Sequence, residues 1–204
     1  MFNGIIFNTG KVKKKHVSRS GLVLTIDSKI KINPKKEIGS SISCSGVCLT
    51  LTKYKNKNLS FYVSKETIKR SNLSILKIND IVNLEKPIKF GDRISGHFIQ
   101  GHIDTMARVK KITLSGKAWN IDFSFEKKFK KFLINKGSIA INGVSLTIAK
   151  VKKNIFQVVV IPHSLKLTNL IKLQEKDLVN IEFDILLKYI KNNWKWKKYH
   201  QLIK

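Results

Sequence analysis

The sequence predicts an all-β protein: two similar closed β-barrels, one in each half, and a C-terminal α-helix. Three observations predict it. The chain is written twice, most of each copy reads as short strands between turn signals, and an apolar helical stripe follows the second copy. The segment Ser41-Ile42-Ser43-Cys44-Ser45-Gly46-Val47-Cys48-Leu49-Thr50-Leu51 returns as Ser138-Ile139-Ala140-Ile141-Asn142-Gly143-Val144-Ser145-Leu146-Thr147-Ile148. The shift from Gly46 to Gly143 is 97 residues. The same shift carries Gly4-Ile5-Ile6 onto Gly101-His102-Ile103, Asn72-Leu73 onto Asn169-Leu170, and Asp80 to Glu85 onto Asp177 to Glu182. A period this long is too large for a solenoid, so each copy is expected to fold as its own unit. The expected domains are 1–96, 97–184 and a helix over 185–204.

In chain order, Val12, Val17, Leu22, Leu24 and Ile26 alternate with polar partners and predict the first strands. Gly46 and Gly143 each open a strand whose alternation puts Cys48 and Thr50, or Ser145 and Thr147, on one face. Leu59 to Val63 and Phe156 to Ile161 are rich in β-branched and aromatic residues. Phe125, Phe129, Phe132 and Leu133 lie at helical spacing and predict a short amphipathic helix ending before Gly137. In the tail, Ile185, Leu186, Tyr189 and Ile190 form a stripe that runs on to Trp194 and Trp196. Such a helix packs either on its own barrel or against other subunits.

The formal net charge of +27 invites a nucleic-acid reading. The lysines, however, are spread over the whole chain and not gathered with aromatics on one face, so no specific nucleic-acid partner is expected. No apolar run approaches the ~20 residues that span a bilayer, and no signal peptide is visible. Cys44 and Cys48 lie four apart on what reads as one strand, poorly placed for a disulfide, which suits a reducing cytoplasm.

Chemistry is densest in Gly96-His97-Phe98-Ile99-Gln100-Gly101-His102-Ile103-Asp104. On a strand, His102 and Asp104 would share a side, where a carboxylate fixes the imidazole tautomer and raises its pKa. The plainer alternative is a pair of buried, satisfied histidines. No zinc-ligand spacing and no nucleotide fingerprint is present. The copies also differ where they match: Cys48 faces Ser145, and Glu66 faces His163. A duplicated frame with diverged side chains predicts a composite site.

Taken together, the chain resembles the riboflavin synthase family of the alpha-chain type. The resemblance rests on Met1-Phe2-x-Gly4-Ile5-Ile6, Gly46-Val47-Cys48-Leu49-Thr50, Lys65-Glu66-Thr67 and Asn72-Leu73. In the second half it rests on Gly96-His97-Phe98-x-x-Gly101-His102-x-Asp104, Asn142 to Thr147, Ile161-Pro162-His163, Thr168-Asn169-Leu170 and Val179-Asn180-Ile181-Glu182-x-Asp184, with Lys188-Tyr189 in the tail. Ser95, Asn3 and Ser164 depart from the family's usual residues, and Cys44 is atypical.

That resemblance implies six-stranded Greek-key barrels and a C-terminal helix that assembles a homotrimer. It implies dismutation of two 6,7-dimethyl-8-ribityllumazine molecules, one giving a four-carbon unit to the other, without metal or organic cofactor. It also implies a first substrate group of Gly4, Ile5, Ile6, Cys48, Leu49, Thr50, Tyr62, Val63, Ser64, Lys65, Glu66, Thr67, Gly101, His102 and Ile103. The second group is Lys136, Ser145, Leu146, Thr147, Val159, Val160, Ile161, Pro162, His163 and Ser164. His102, Cys48, Ser145, His97 and Asp184 are the expected catalytic set, and lumazine synthase is a candidate partner. A non-catalytic lumazine carrier would keep one good site and erode the other; here both halves retain their motifs. An RNA-binding barrel would interleave basic and aromatic residues on exposed strands, and these strands alternate apolar with small hydroxyl residues.

Overall fold

Alternating apolar and polar residues resolve, in each copy, into six antiparallel strands. The structure is a computed structural model that describes residues 1–191. The first copy contributes β1 (Asn8–Val17), β2 (Gly21–Ser28), β3 (Ser41–Cys44), β4 (Val47–Lys55), β5 (Asn58–Ser64) and β6 (Ile81–Glu85). The second contributes β7 (Thr105–Ser115), β8 (Ala118–Ser124), β9 (Ser138–Ile141), β10 (Val144–Lys152), β11 (Ile155–Val160) and β12 (Leu178–Phe183). Each set closes into a barrel in Greek-key order, β1-β2-β5-β4-β3-β6 and its counterpart β7-β8-β11-β10-β9-β12. Closure leaves no free sheet edge. Both barrels bend at equivalent bulges, between Val12/Lys14 and Val109/Lys111 and between Leu51/Lys53 and Ile148/Lys150. Short helices α1 (Pro34–Glu37), α2 (Lys65–Arg70) and α3 (Pro162–Leu167) fill connections.

Inward residues form one core per barrel. Leu22, Leu24, Ile26, Leu51 and Phe61 are fully buried in the first, and Ile121, Phe123, Val158 and Val179 in the second. Neither core is made by its own copy alone. Ile6, which precedes the first barrel, belongs to the second barrel's core, and Ile103, which precedes the second, belongs to the first barrel's core. The two straps that carry them, residues 1–6 and 98–103, cross as an antiparallel bridge between Phe2 and Ile99. Each copy thus plugs the other.

A second contact joins the halves. Ser45-Gly46 and Asn142-Gly143 are two-residue hairpin turns with positive φ at both positions. The two glycines abut: a Cβ on Gly46 would sit 2.7 Å from the Gly143 nitrogen, and the converse distance is also 2.7 Å. Asparagines at matched positions seal the contact. Asn180 Nδ2 donates to the Ser45 carbonyl at 2.9 Å, and its Oδ1 accepts from the Asn72 N–H at 2.7 Å. Asn83 Nδ2 donates to the Asn142 carbonyl at 2.9 Å, and its Oδ1 accepts from the Asn169 N–H at 2.7 Å.

Two expectations change, and a third is met as far as the described residues reach. Cys44 and Cys48 do not share a strand; the turn separates them, so Cys44 is buried in the core while Cys48 is half-buried on the outer face. The Phe125–Leu133 segment is a 3-10 helix over Lys127–Phe132, because Phe125 and Leu133 are drawn into the barrel core at its two ends. The tail is helical over 185–191, with Leu186, Tyr189 and Ile190 exposed; Trp194, Trp196 and the rest of the expected helix lie outside the described residues.

Behind each strap sits a buried carboxylate. Glu85 accepts from the N–H groups of Asn3 (2.7 Å) and Gly4 (3.1 Å). Burial pushes the Glu85 carboxyl up from 4.5 to about 7, while the backbone donors of Asn3, Gly4 and Ile5 and the chain's amino terminus pull it down. Because the folded value lies above the unfolded one, Glu85 contributes stability that is full below pH 4.5 and lost as pH rises through 7. Urea unfolding at pH 5 and pH 8 should therefore show a smaller loss of stability between the two for Glu85→Gln than for wild type. Separately, Asn180→Ala leaves a buried N–H and a buried carbonyl without partners, and its unfolding free energy should fall by about 2–5 kcal/mol in the same assay.

Candidate functional site

Two pseudo-equivalent places arise where a strap glycine meets the first residues of a strand. At one, the Cys48 N–H donates to the Gly101 carbonyl at 2.8 Å; at the other, the Ser145 N–H donates to the Gly4 carbonyl at 2.9 Å. Only glycine fits either strap. Gly101 and Gly4 have φ of +81° and +74°, and an added Cβ would lie 2.6 Å from Cys48 Cβ or 2.7 Å from Ser145 Cβ.

The first place opens on a hollow of about 1000 Å³ whose walls include Cys48, Glu66, Thr67, His102, Lys128 and Phe129. Glu66 and Thr67 stand in the first turn of α2, where Ser64 Oγ accepts the Thr67 N–H at 3.2 Å. Arg70 pairs with Glu66, and Lys128 pairs with Glu126 at 2.7 Å. Thr50 and Lys65 are exposed beside it, and the exposed Tyr62 donates its hydroxyl to the Ser20 carbonyl.

The second place is built differently on the same frame. His97 is buried, and its Nδ1 lies 2.7 Å from Ser145 Oγ. Its Nε2 has no partner among the described residues. Burial holds the imidazole below its ordinary 6.5, opposed by the charge of Asp184, so at pH 7 it is neutral. A neutral imidazole accepts at one nitrogen and donates at the other, so the pair can pass a proton to or from a group bound over it. Thr147, Val159, Ile161, Pro162 and His163 are exposed and Ser164 is half-buried, with Pro162 opening α3. Lys136 is exposed at positive φ, its N–H donating to the Ile148 carbonyl at 2.7 Å.

The grouping from sequence changes in two respects. Gly4 meets Ser145, and Ile6 enters the second barrel's core, so these two strap residues lie with the second place, while Phe2 belongs to the small cluster against which Cys48 packs. The crossing of the straps, invisible in linear order, is the reason. His102 and Asp104 also form no pair. Residues 102–104 lie outside any strand, His102 is exposed, and Asp104 is taken by Lys188 Nζ at 2.7 and 2.9 Å and by the Phe183 N–H at 2.8 Å. Leu49, Val63 and Val160 point into the cores, and Ile103 is mostly buried there. Leu146 is half-buried against the second core, and Ile5 is half-buried on the strap. Sequence reading passed over Glu85 and Glu182, although both stand at matched positions in the repeat.

A separate hollow of about 790 Å³ lies beside the first strap, between Ile5, Lys29, Glu37 and Arg93, and includes neither Ser145 nor His163. Among the described residues no group of three or more His, Cys, Asp or Glu side chains is placed to hold a metal ion.

Comparison with known proteins agrees with the duplicated frame. The family model described as the lumazine binding domain matches twice, over residues 3–87 and 100–184. The riboflavin synthase of Escherichia coli is 38% identical over 188 residues, covering 90% of this chain and 87% of that protein. The riboflavin synthase of Actinobacillus pleuropneumoniae is 37% identical over 190 residues, covering 93% of this chain and 88% of the other. Among solved structures, LumP complexed with riboflavin superposes with a TM-score of 0.79 at 25% identity, covering 90% of this chain and 99% of that one. With the lumazine binding domain matched in both halves and relatives of this similarity over nearly its whole length, the chain belongs to the riboflavin synthase family.

Proposed function

We propose that this protein converts two molecules of 6,7-dimethyl-8-ribityllumazine into riboflavin and 5-amino-6-ribitylaminouracil by moving a four-carbon unit from one to the other. The observation that carries this reading is the pair of pseudo-equivalent places, one at Cys48 and one at Ser145, with the frame kept and the side chains diverged. Identical substrates need similar pockets. Donor and acceptor roles need different chemistry in them.

The reaction needs a proton removed from the C7 methyl of one lumazine and a nucleophile added at C7 of the other. Ser145 and the neutral His97 form the unit best placed to hold or move a proton, with Asp184 steadying its charge. Cys48, half-buried and facing the hollow, would orient the ring of the other lumazine or add to it, and His102 on the same wall would assist proton transfer. Thr50 and Thr147, one strand period beyond Cys48 and Ser145, would hydrogen-bond the heterocycles. The loop residues Tyr62 to Thr67, Val159 to Ser164 and Lys136 would take the remaining polar edges and the ribityl chain.

Both places open to solvent in a single chain, and exposed Phe7, Phe90, Leu186, Tyr189 and Ile190 offer apolar surface for further subunits. This supports a homotrimer in which the first barrel of one subunit faces the second barrel of its neighbour, so that proximity supplies much of the acceleration. Two free cysteines and no disulfide suit the cytoplasm. The carrier reading is disfavoured because neither place has lost its polar groups.

Incubation with 6,7-dimethyl-8-ribityllumazine alone should yield riboflavin at half the molar amount of lumazine consumed, followed by absorbance. Binding without riboflavin would instead mark a carrier. His97→Ala should lower kcat by about 10²-fold or more with a far smaller change in lumazine affinity, as loss of a general acid–base does. Sedimentation equilibrium should return three times the chain mass of 23.4 kDa.

A further inference from the structure

Glu85 and Glu182 occupy matched positions on β6 and β12, are 9% and 1% exposed, and take no part in the chemistry above. Glu182 Oε1 accepts from the Gln100 N–H at 2.8 Å, and its Oε2 from Gly101 at 2.8 Å and His102 at 3.1 Å. Glu85 receives Asn3 and Gly4 in the same way. These N–H groups lie on the straps, on Gly101 and Gly4, whose carbonyls receive Cys48 and Ser145, and on their immediate neighbours. We propose that Glu182 and Glu85 are positioning residues that set the two lumazine sites independently, Glu182 the one at Cys48 and Glu85 the one at Ser145.

The ends of each strap are already fastened, by the Phe2–Ile99 bridge on one side and by Ile6 or Ile103 in a core on the other. What the ends leave undetermined is the rotation of the middle. In its ionised form, which the strap N–H donors favour against burial, each carboxylate accepts only, so its two oxygens can receive the N–H groups that the strap turns inward. That orientation aims the Gly101 and Gly4 carbonyls at the strand N–H groups and, at the first place, turns His102 into the hollow beside Cys48. A carboxamide of the same shape presents an NH₂ to one of those donors, and the strap must rotate away. A shift of about 1 Å in a positioning element can lower turnover about 10²-fold.

The proposal rests on the lumazine reading for its ligand, and on the hydrogen bonds alone for its geometry. Amide hydrogen exchange of residues 1–7 and 96–104 in Glu182→Gln and Glu85→Gln, with and without lumazine, separates the two. In Glu182→Gln the 96–104 segment should exchange faster and lose its lumazine-induced protection, while 1–7 keeps both, and turnover should drop tenfold or more. Glu85→Gln should do the reverse. Glu182→Asp and Glu85→Asp keep two acceptor oxygens one methylene further back, should show the same selectivity at smaller size, and serve if a Gln variant does not fold. Equal loosening of both straps in each variant, or a loosened strap with normal lumazine protection and turnover, overturns the proposal. Wild type without riboflavin formation or lumazine protection overturns the functional reading, while strap-selective exchange in the unliganded variants still reports on the clamps.

Discussion

The contact between Gly46 and Gly143 sets the geometry of everything else. Backbone meets backbone there with no side chain between, because each hairpin turn needs positive φ and a Cβ would fall 2.7 Å from the other turn. Once the turns touch, β4 and β10 leave the contact in pseudo-symmetric directions. Cys48 and Ser145, two residues past the glycines, then stand at equivalent places. Asn83 and Asn180 hold the turns by bonding the carbonyls that the contact would otherwise leave buried and unpaired.

Strap exchange makes the two barrels one cooperative object. Each is completed by an apolar residue from the other copy's leader, Ile103 in one direction and Ile6 in the other. A barrel of this size buries only a modest core by itself, and the exchange adds to it. The same arrangement couples folding to function, since the straps that plug the cores also form one wall of each site. Glycine at positions 4 and 101 is a consequence of that double duty.

On this symmetric scaffold, the chemistry is asymmetric. At the second place the buried His97 imidazole lies 2.7 Å from the strand hydroxyl of Ser145. The first place has instead a thiol, a carboxylate at Glu66 and an exposed imidazole at His102. Duplication supplied two similar clefts, and His97 at one and Glu66 with His102 at the other make them different.

Much of this was legible in linear order. The constant offset, the strand alternation and the punctuating glycines determined two barrels and located Cys48, Ser145 and the Gly-His segment, because these depend on local pattern and period. What tertiary structure alone decided was which polar face is wet. Alternation in β6 and β12 puts Asn83, Glu85, Asn180 and Glu182 on the side away from the core, where a sequence reading expects water. The opposite copy and the straps cover that side, so the same residues become a buried lock and two clamps. Partner choice was equally hidden. Asp104 stands two residues from His102, yet its carboxylate goes to Lys188, which lies 84 residues away in sequence but adjacent in space. Side chains at fixed spacing reveal a shared face only when the backbone is regular, and residues 102–104 are not in a strand.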